Sequence, residues 1–157
     1  LCPFDPAFLS VPKEALILAM QQHQKSFALI KDDKLLPYFI TIANIDSKNK
    51  ARVIEGNARV MHARLADAAF FYEQDKQTPL ETFAAELARV TFQDKLGSMQ
   101  DKTERVTSLA RHIADLLTVK QETKDDLAQA AKLYKADLMS RMVGEFPELQ
   151  GTMGYYY

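Results

Sequence analysis

The chain has 157 residues, 47% of them apolar and 26% charged, with a formal net charge of −1. That length holds one ordinary domain or two small ones, and the composition is normal for a soluble globular protein. No run approaches the roughly 18 apolar residues of a membrane span, and no tail is charged enough to demand or exclude a polyanionic partner.

Residues 1–11 contain prolines and no clear period, and read as an extended lead-in. Pro12 suits the first turn of a helix, where its missing N–H costs nothing. That helix is expected to reach about Gln24, with Ala15, Leu16, Ala19 and Met20 inward. Two apolar runs follow, Ser26–Lys31 and Leu35–Ile45, separated by Asp32-Asp33-Lys34. The second run is rich in β-branched and aromatic residues, so an antiparallel hairpin is expected. A long helix then spans about Ala51–Gln74. Its apolar stripe is Val53, Ile54, Val60, Met61, Leu65, Ala68, Phe71 and Tyr72, at steps of three, four and seven.

Thr78-Pro79-Leu80-Glu81 has the pattern of a capping box and predicts a helix over about Pro79–Phe92. Ser98-Met99-Gln100-Asp101 predicts another, to about Leu117. Thr123-Lys124-Asp125-Asp126 predicts a third, to about Val143, closed by Gly144. The expected fold class is α+β. An N-terminal α/β part with a short antiparallel hairpin and a long helix spans residues 1–77, and a helical bundle spans residues 78–157.

Few residues point to chemistry. Cys2 is the single cysteine, so it has no internal disulfide partner, and no Cys/His spacing suggests zinc. No secretory h-region opens the chain, and a cytoplasmic protein is expected. His23, His62 and His112 stand apart from one another. No serine sits in a nucleophile elbow, and Gly56 and Gly97 are isolated rather than part of a phosphate loop. Helical bundles that hold a His-Asp pair bind divalent metals and hydrolyse phosphoesters. Here Ala136 precedes Asp137, and Ile113 follows His112. A lone carboxylate is a poor divalent site, so an ion pair from Asp137 to Arg141 is expected instead. No catalytic, cofactor-binding or metal-ligating residue is assigned.

The stretch from Lys48 to Arg64 is different. Lys48, Lys50, Arg52, Arg59 and Arg64 face a single acid, Glu55. Arg52 and Arg59 are seven apart and share a helical face. Lys48, Lys50, Arg52 and Arg59 are therefore candidates for contact with a phosphate backbone, which needs only exposed cations. Arg64 falls on the apolar stripe and is expected to pair with Asp67. Phe70, on the otherwise polar side of the same helix, is a candidate interface residue, as are Tyr155 and Tyr156 near the end of the chain.

Several blocks carry a family resemblance. They include His23-Gln24-Lys25, Leu35-Leu36-Pro37 with Phe39-Ile40, and Val53-Ile54-Glu55-Gly56-Asn57. Further on come Arg64-Leu65-Ala66-Asp67-Ala68 with Phe70-Phe71-Tyr72-Glu73, and Phe92-Gln93-Asp94-Lys95-Leu96-Gly97 with Asp101-Lys102. The last are Lys135-Ala136-Asp137-Leu138 with Met142-Val143, and Glu145-Phe146-Pro147-Glu148-Leu149-Gln150-Gly151 with Met153-Gly154 and Tyr156-Tyr157. In this order they resemble the β subunit of bacterial glycyl-tRNA synthetase, over nearly the whole chain.

The resemblance implies what composition could not. The family enzyme is a cytoplasmic α/β heterotetramer, a class II ligase that uses ATP and magnesium to charge tRNA(Gly). Its α subunit makes glycyl-adenylate, and its β subunit mainly recognises tRNA. The partners implied are thus the α subunit and tRNA(Gly), with no DNA and no membrane. This chain, which lacks a starting Met, is expected to be an interior piece. Residues 1–77 would be the end of an editing-domain-like module, and residues 78–157 the start of a degenerate HD-type domain that continues past Tyr157. Two other expectations stand beside this one: a metal-dependent phosphohydrolase in the helical half, and a pure interdomain interaction module.

Overall fold

A computed structural model describes residues 1–157, the side chain of His23 excepted. The chain divides into two compact units, Leu1–Gln74 and Asp75–Tyr157.

The first unit opens on β1 (Cys2–Pro3), which is not a free lead-in. It pairs antiparallel with β3, Cys2 against Phe39 and Pro3 against Tyr38, and Cys2 is buried. A short 3-10 turn, Pro6–Ser10, follows, with the Asp5 carboxylate accepting from the Ala7 amide at 2.9 Å. Helix α1 (Lys13–Gln24) ends where Lys25 turns left-handed at φ 49°. Ala15, Leu16, Ala19 and Met20 are fully buried, as their spacing predicts.

Strands β2 (Phe27–Lys31) and β3 (Lys34–Ile40) form the expected hairpin, in a sheet of order β1-β3-β2. Its loop is two residues, Asp32 and Asp33, both at positive φ, a conformation aspartate tolerates. Lys13 holds this loop by donating to the Asp33 carboxylate at 2.7 Å. Pro37 lies within the central strand, where a missing N–H normally breaks pairing. The register shifts between Ala28 and Ile30 at this level, so the proline falls in a bulge. The strand stops at Ile40, five residues earlier than expected. Its neighbours supply the reason: β2 begins opposite Ile40, and β1 reaches back only to Cys2 opposite Phe39. Ile42 and Ile45 beyond it are exposed.

Helix α2 (Lys50–Asp75) has the expected extent within a residue at each end. Its stripe is buried only in the later turns, at Met61, Leu65, Ala68 and Tyr72, whereas Ile54 and Val60 are exposed.

The second unit is helical but not only helical. Helix α3 (Leu80–Glu86) has Pro79 at its N-cap and no side-chain cap, so the Thr78 capping box does not form. It ends well short of Phe92, through a 3-10 turn at Leu87–Arg89. Next comes a two-stranded ribbon, β4 (Thr91–Gln93) with β5 (Gly97–Ser98), in place of continued helix. Gly97 takes φ +83°, and a Cβ there would strike the Asp101 carboxylate. That carboxylate belongs to the capping box expected at Ser98. Ser98 accepts from the Asp101 amide at 3.1 Å and Asp101 accepts from the Ser98 amide at 2.6 Å, which starts α4 (Met99–Leu116).

Helix α5 (Gln121–Leu133) packs on α4 but starts from Lys120 without a side-chain cap. It also stops ten residues before Val143. A 3-10 turn at Ala136–Met139, helix α6 (Arg141–Glu145), a 3-10 turn at Pro147–Leu149 and helix α7 (Thr152–Tyr156) complete the chain. Gly144 lies inside α6 rather than closing a long helix. Ser140 interrupts helical continuity: its extended backbone begins α6, and its hydroxyl accepts from the Val143 amide at 3.2 Å. Phe146, Leu149 and Met153 from this folded-back tail are buried.

Candidate nucleic-acid interface

Cations gather where α2 starts. Lys48, Lys50 and Arg52 are all exposed, and Asn49 caps the turn by accepting from the Arg52 amide at 3.1 Å. The first turn carries no acid. Helix amides pointing outward add positive potential to these side chains, an arrangement that disfavours the helix itself and favours an anion. Arg59 lies further along and is partly neutralised by Glu55 at 3.1 Å, both side chains being well exposed. Arg64 and Asp67 approach to 3.8 Å, the expected pair, but at the surface and not within the apolar stripe.

Of the other singled-out residues, Phe70 is 56% exposed and Tyr155 84% exposed, with Tyr156 at 36%. Tyr155 and Tyr156 stack edge to face, with ring centroids 5.2 Å apart. His62 meets Phe8 edge to face, its centroid 5.2 Å away. The expectation about His23 lies outside the described side chains. His112 lines an open cleft of about 740 Å³ in the second unit, together with Glu104, Arg111, Asp115 and Lys132. Lys124 donates to Asp115 at 2.6 Å and holds that carboxyl below the ordinary aspartate range.

The Asp137–Arg141 ion pair does not form. Asp137 is 1% exposed, and its Oδ2 accepts from the backbone amides of Gly151 and Gly154, the latter at 3.1 Å. It therefore caps α7, and Gly154 lets the carboxylate approach: a Cβ there would sit 3.4 Å from its Cγ. Oδ1 is buried without a partner. Asp75 plays the same part for α6. It accepts from the amides of Arg141 and Met142, each at 2.9 Å, and from the Tyr157 hydroxyl at 2.9 Å. Sequence reasoning passed over Asp75, because an aspartate ending a long helix carries no periodic signal. Its partners lie 66, 67 and 82 residues further on.

Among the described residues no three His, Cys, Asp or Glu side chains gather into a metal-holding group. No described helix is long and apolar enough to cross a membrane. What emerges is a two-unit α+β segment that points cations and aromatics outward and uses its buried carboxylates as helix caps.

The profile of the glycyl-tRNA synthetase beta subunit matches residues 1–157, so the chain belongs to that family. Among its relatives, the glycine--tRNA ligase beta subunits of Pseudomonas syringae pv. syringae and Pseudomonas fluorescens are 53% and 52% identical over 157 residues. That of Pseudomonas putida is 49% identical over the same length. In each case the match covers 99% of this chain and 22% of the relative, so the chain spans about a fifth of the length of these relatives.

Proposed function

We propose that this region serves a glycine–tRNA ligase as a tRNA-contacting and scaffolding segment of the β subunit, with ATP-dependent glycyl transfer carried out on the α subunit. The observation that carries the reading is the match to the family over every residue of the chain. On that basis the first unit is read as the end of an editing-like module and the second as the start of a degenerate HD-type domain. The engagement of Asp137 with two backbone amides supports a capping role for this residue rather than metal ligation.

The contact mechanism is positional. Lys48, Lys50 and Arg52 meet the sugar-phosphate backbone at the start of α2, and Arg59 contributes less because Glu55 already holds it. In the complete α/β enzyme, Arg52→Ala is expected to weaken tRNA binding and to reduce the salt slope by about one per lost phosphate contact. Arg59→Ala is expected to have a smaller effect. Titration of tRNA at several salt concentrations reads both. An unchanged affinity and slope in the Arg52 variant overturns the contact.

A second reading, that of an interaction module, draws on the exposure of Phe70 and Tyr155. It differs in expecting no salt-dependent loss from either arginine variant.

A further inference from the structure

Helix α4 carries apolar side chains on more than its buried side. Its buried residues are Met99, Thr103 and Ala114. On another side, Leu109, Ile113 and Leu116 are 59%, 46% and 70% exposed, and Leu117, just past its end, is 69% exposed. Steps of four, three and one place these residues on one stripe. Lys102 is seven residues before Leu109 and continues the stripe, and its ammonium lies 4.3 Å from the ring centroid of Phe92 in β4. Phe92 is itself exposed. The stripe thus runs from the ribbon to the end of α4, about 20 Å at the helical rise. Scattered exposed leucines need no explanation, but a contiguous row along one helix marks a docking face.

The borders of the row are basic, Lys102 and Arg105, while Glu104 and Asp115 line the cleft on the other side of the helix. A phosphate backbone gains nothing from a row of aliphatic side chains. The relatives extend over more than four times the length matched here, so most of such a subunit lies outside these residues. A segment of the same polypeptide docks at a high effective concentration and without the association entropy that a separate molecule loses.

We propose that the outer face of α4 is an intrachain docking seam: an amphipathic helix with acidic flanks, from the part of the same β subunit outside residues 1–157, packs along Leu109, Ile113, Leu116 and Leu117. This deepens the scaffolding reading and rests on it for the existence of that remaining polypeptide.

The test uses the full-length β subunit carrying Leu109→Cys or Leu116→Cys, with Glu122→Cys on the exposed face of α5 as control and the parent protein as blank. Maleimide labelling of the two stripe thiols is expected to be at least about tenfold slower than the control, because it requires local opening. The protection is expected without the α subunit and at every protein concentration. Labelling at the control rate overturns the seam. So does protection that vanishes on dilution, which assigns the face to a second copy, or that appears only when the α subunit is added. The tRNA titration of the Arg52 variant is independent of these thiols, so the failure of one reading is separable from the failure of the other.

Discussion

The two units solve burial differently. In the first, the core is aliphatic and aromatic: Leu16, Met20, Phe39, Met61 and Leu65 are at most 1% exposed, and Ser26 is the one buried polar residue among those described. In the second, Asp75, Thr103, Asp137 and Ser140 are buried beside the apolar side chains. For Asp75, Asp137 and Ser140 the reason is the length of the helices they cap. Short helices such as α6 and α7 have most of their amides unpaired at the N-terminus, and folding them into a core requires acceptors. Buried carboxylates supply those acceptors. The first unit is therefore held by shape and apolar burial, and the tail of the second by directional bonds that tolerate less change.

Asp75→Ala is the strongest way to break that contrast. It leaves the buried Met142 amide, the part-buried Arg141 amide and the Tyr157 hydroxyl without their acceptor, an expected cost of about 2–3 kcal/mol. Hydrogen exchange should then quicken across residues 141–157 while the amides of α1 and β3 in the first unit keep their protection. Equal acceleration in both units would remove the distinction.

A smaller effect is expected from Ser98→Ala. Loss of this cap should cost about 1 kcal/mol and fray the first turn of α4, read as lower helicity and faster exchange at Asp101.

The smallest effect is set by pH. The Ser98 amide and hydroxyl hold Asp101 below the ordinary aspartate range, and Lys124 does the same for Asp115. Their folded values lie below their unfolded ones, so their contribution is present above the unfolded value and lost as pH falls through the folded value. Protection of the first turn of α4 should accordingly decline below about pH 4. In Asp101→Asn this decline should flatten at that turn.

Legibility followed the range of the interactions. Local signals were read correctly where one element contained its own cause: the spacing of Ala15, Leu16, Ala19 and Met20, the aspartate loop of the hairpin, and the Ser98–Asp101 box. They failed at one local pattern and where a distant partner decided the outcome. Thr78-Pro79-Leu80-Glu81 has the letters of a capping box but not its bonds. The run from Thr123 to Val143 looked like one helix, yet it breaks after Leu133 and refolds on carboxylates. For the candidate interface, sequence found the cations and their shared helix. The expected helix start near Ala51 already put Lys48, Lys50 and Arg52 at a helix end, while the i,i+4 pair of Glu55 with Arg59 went unread. The exposed row on α4 was hidden, because periodicity shows that a helix has an apolar face but not whether anything covers it.

By itself, then, the order of residues determined the family, the α+β class, and those helices and turns whose bonds close within a few positions. The tertiary structure alone decided which aspartates became caps, where β3 and the last long helix stop, and which apolar face is left open. Those outcomes depend on groups dozens of residues apart meeting in space, and no local pattern records such a meeting.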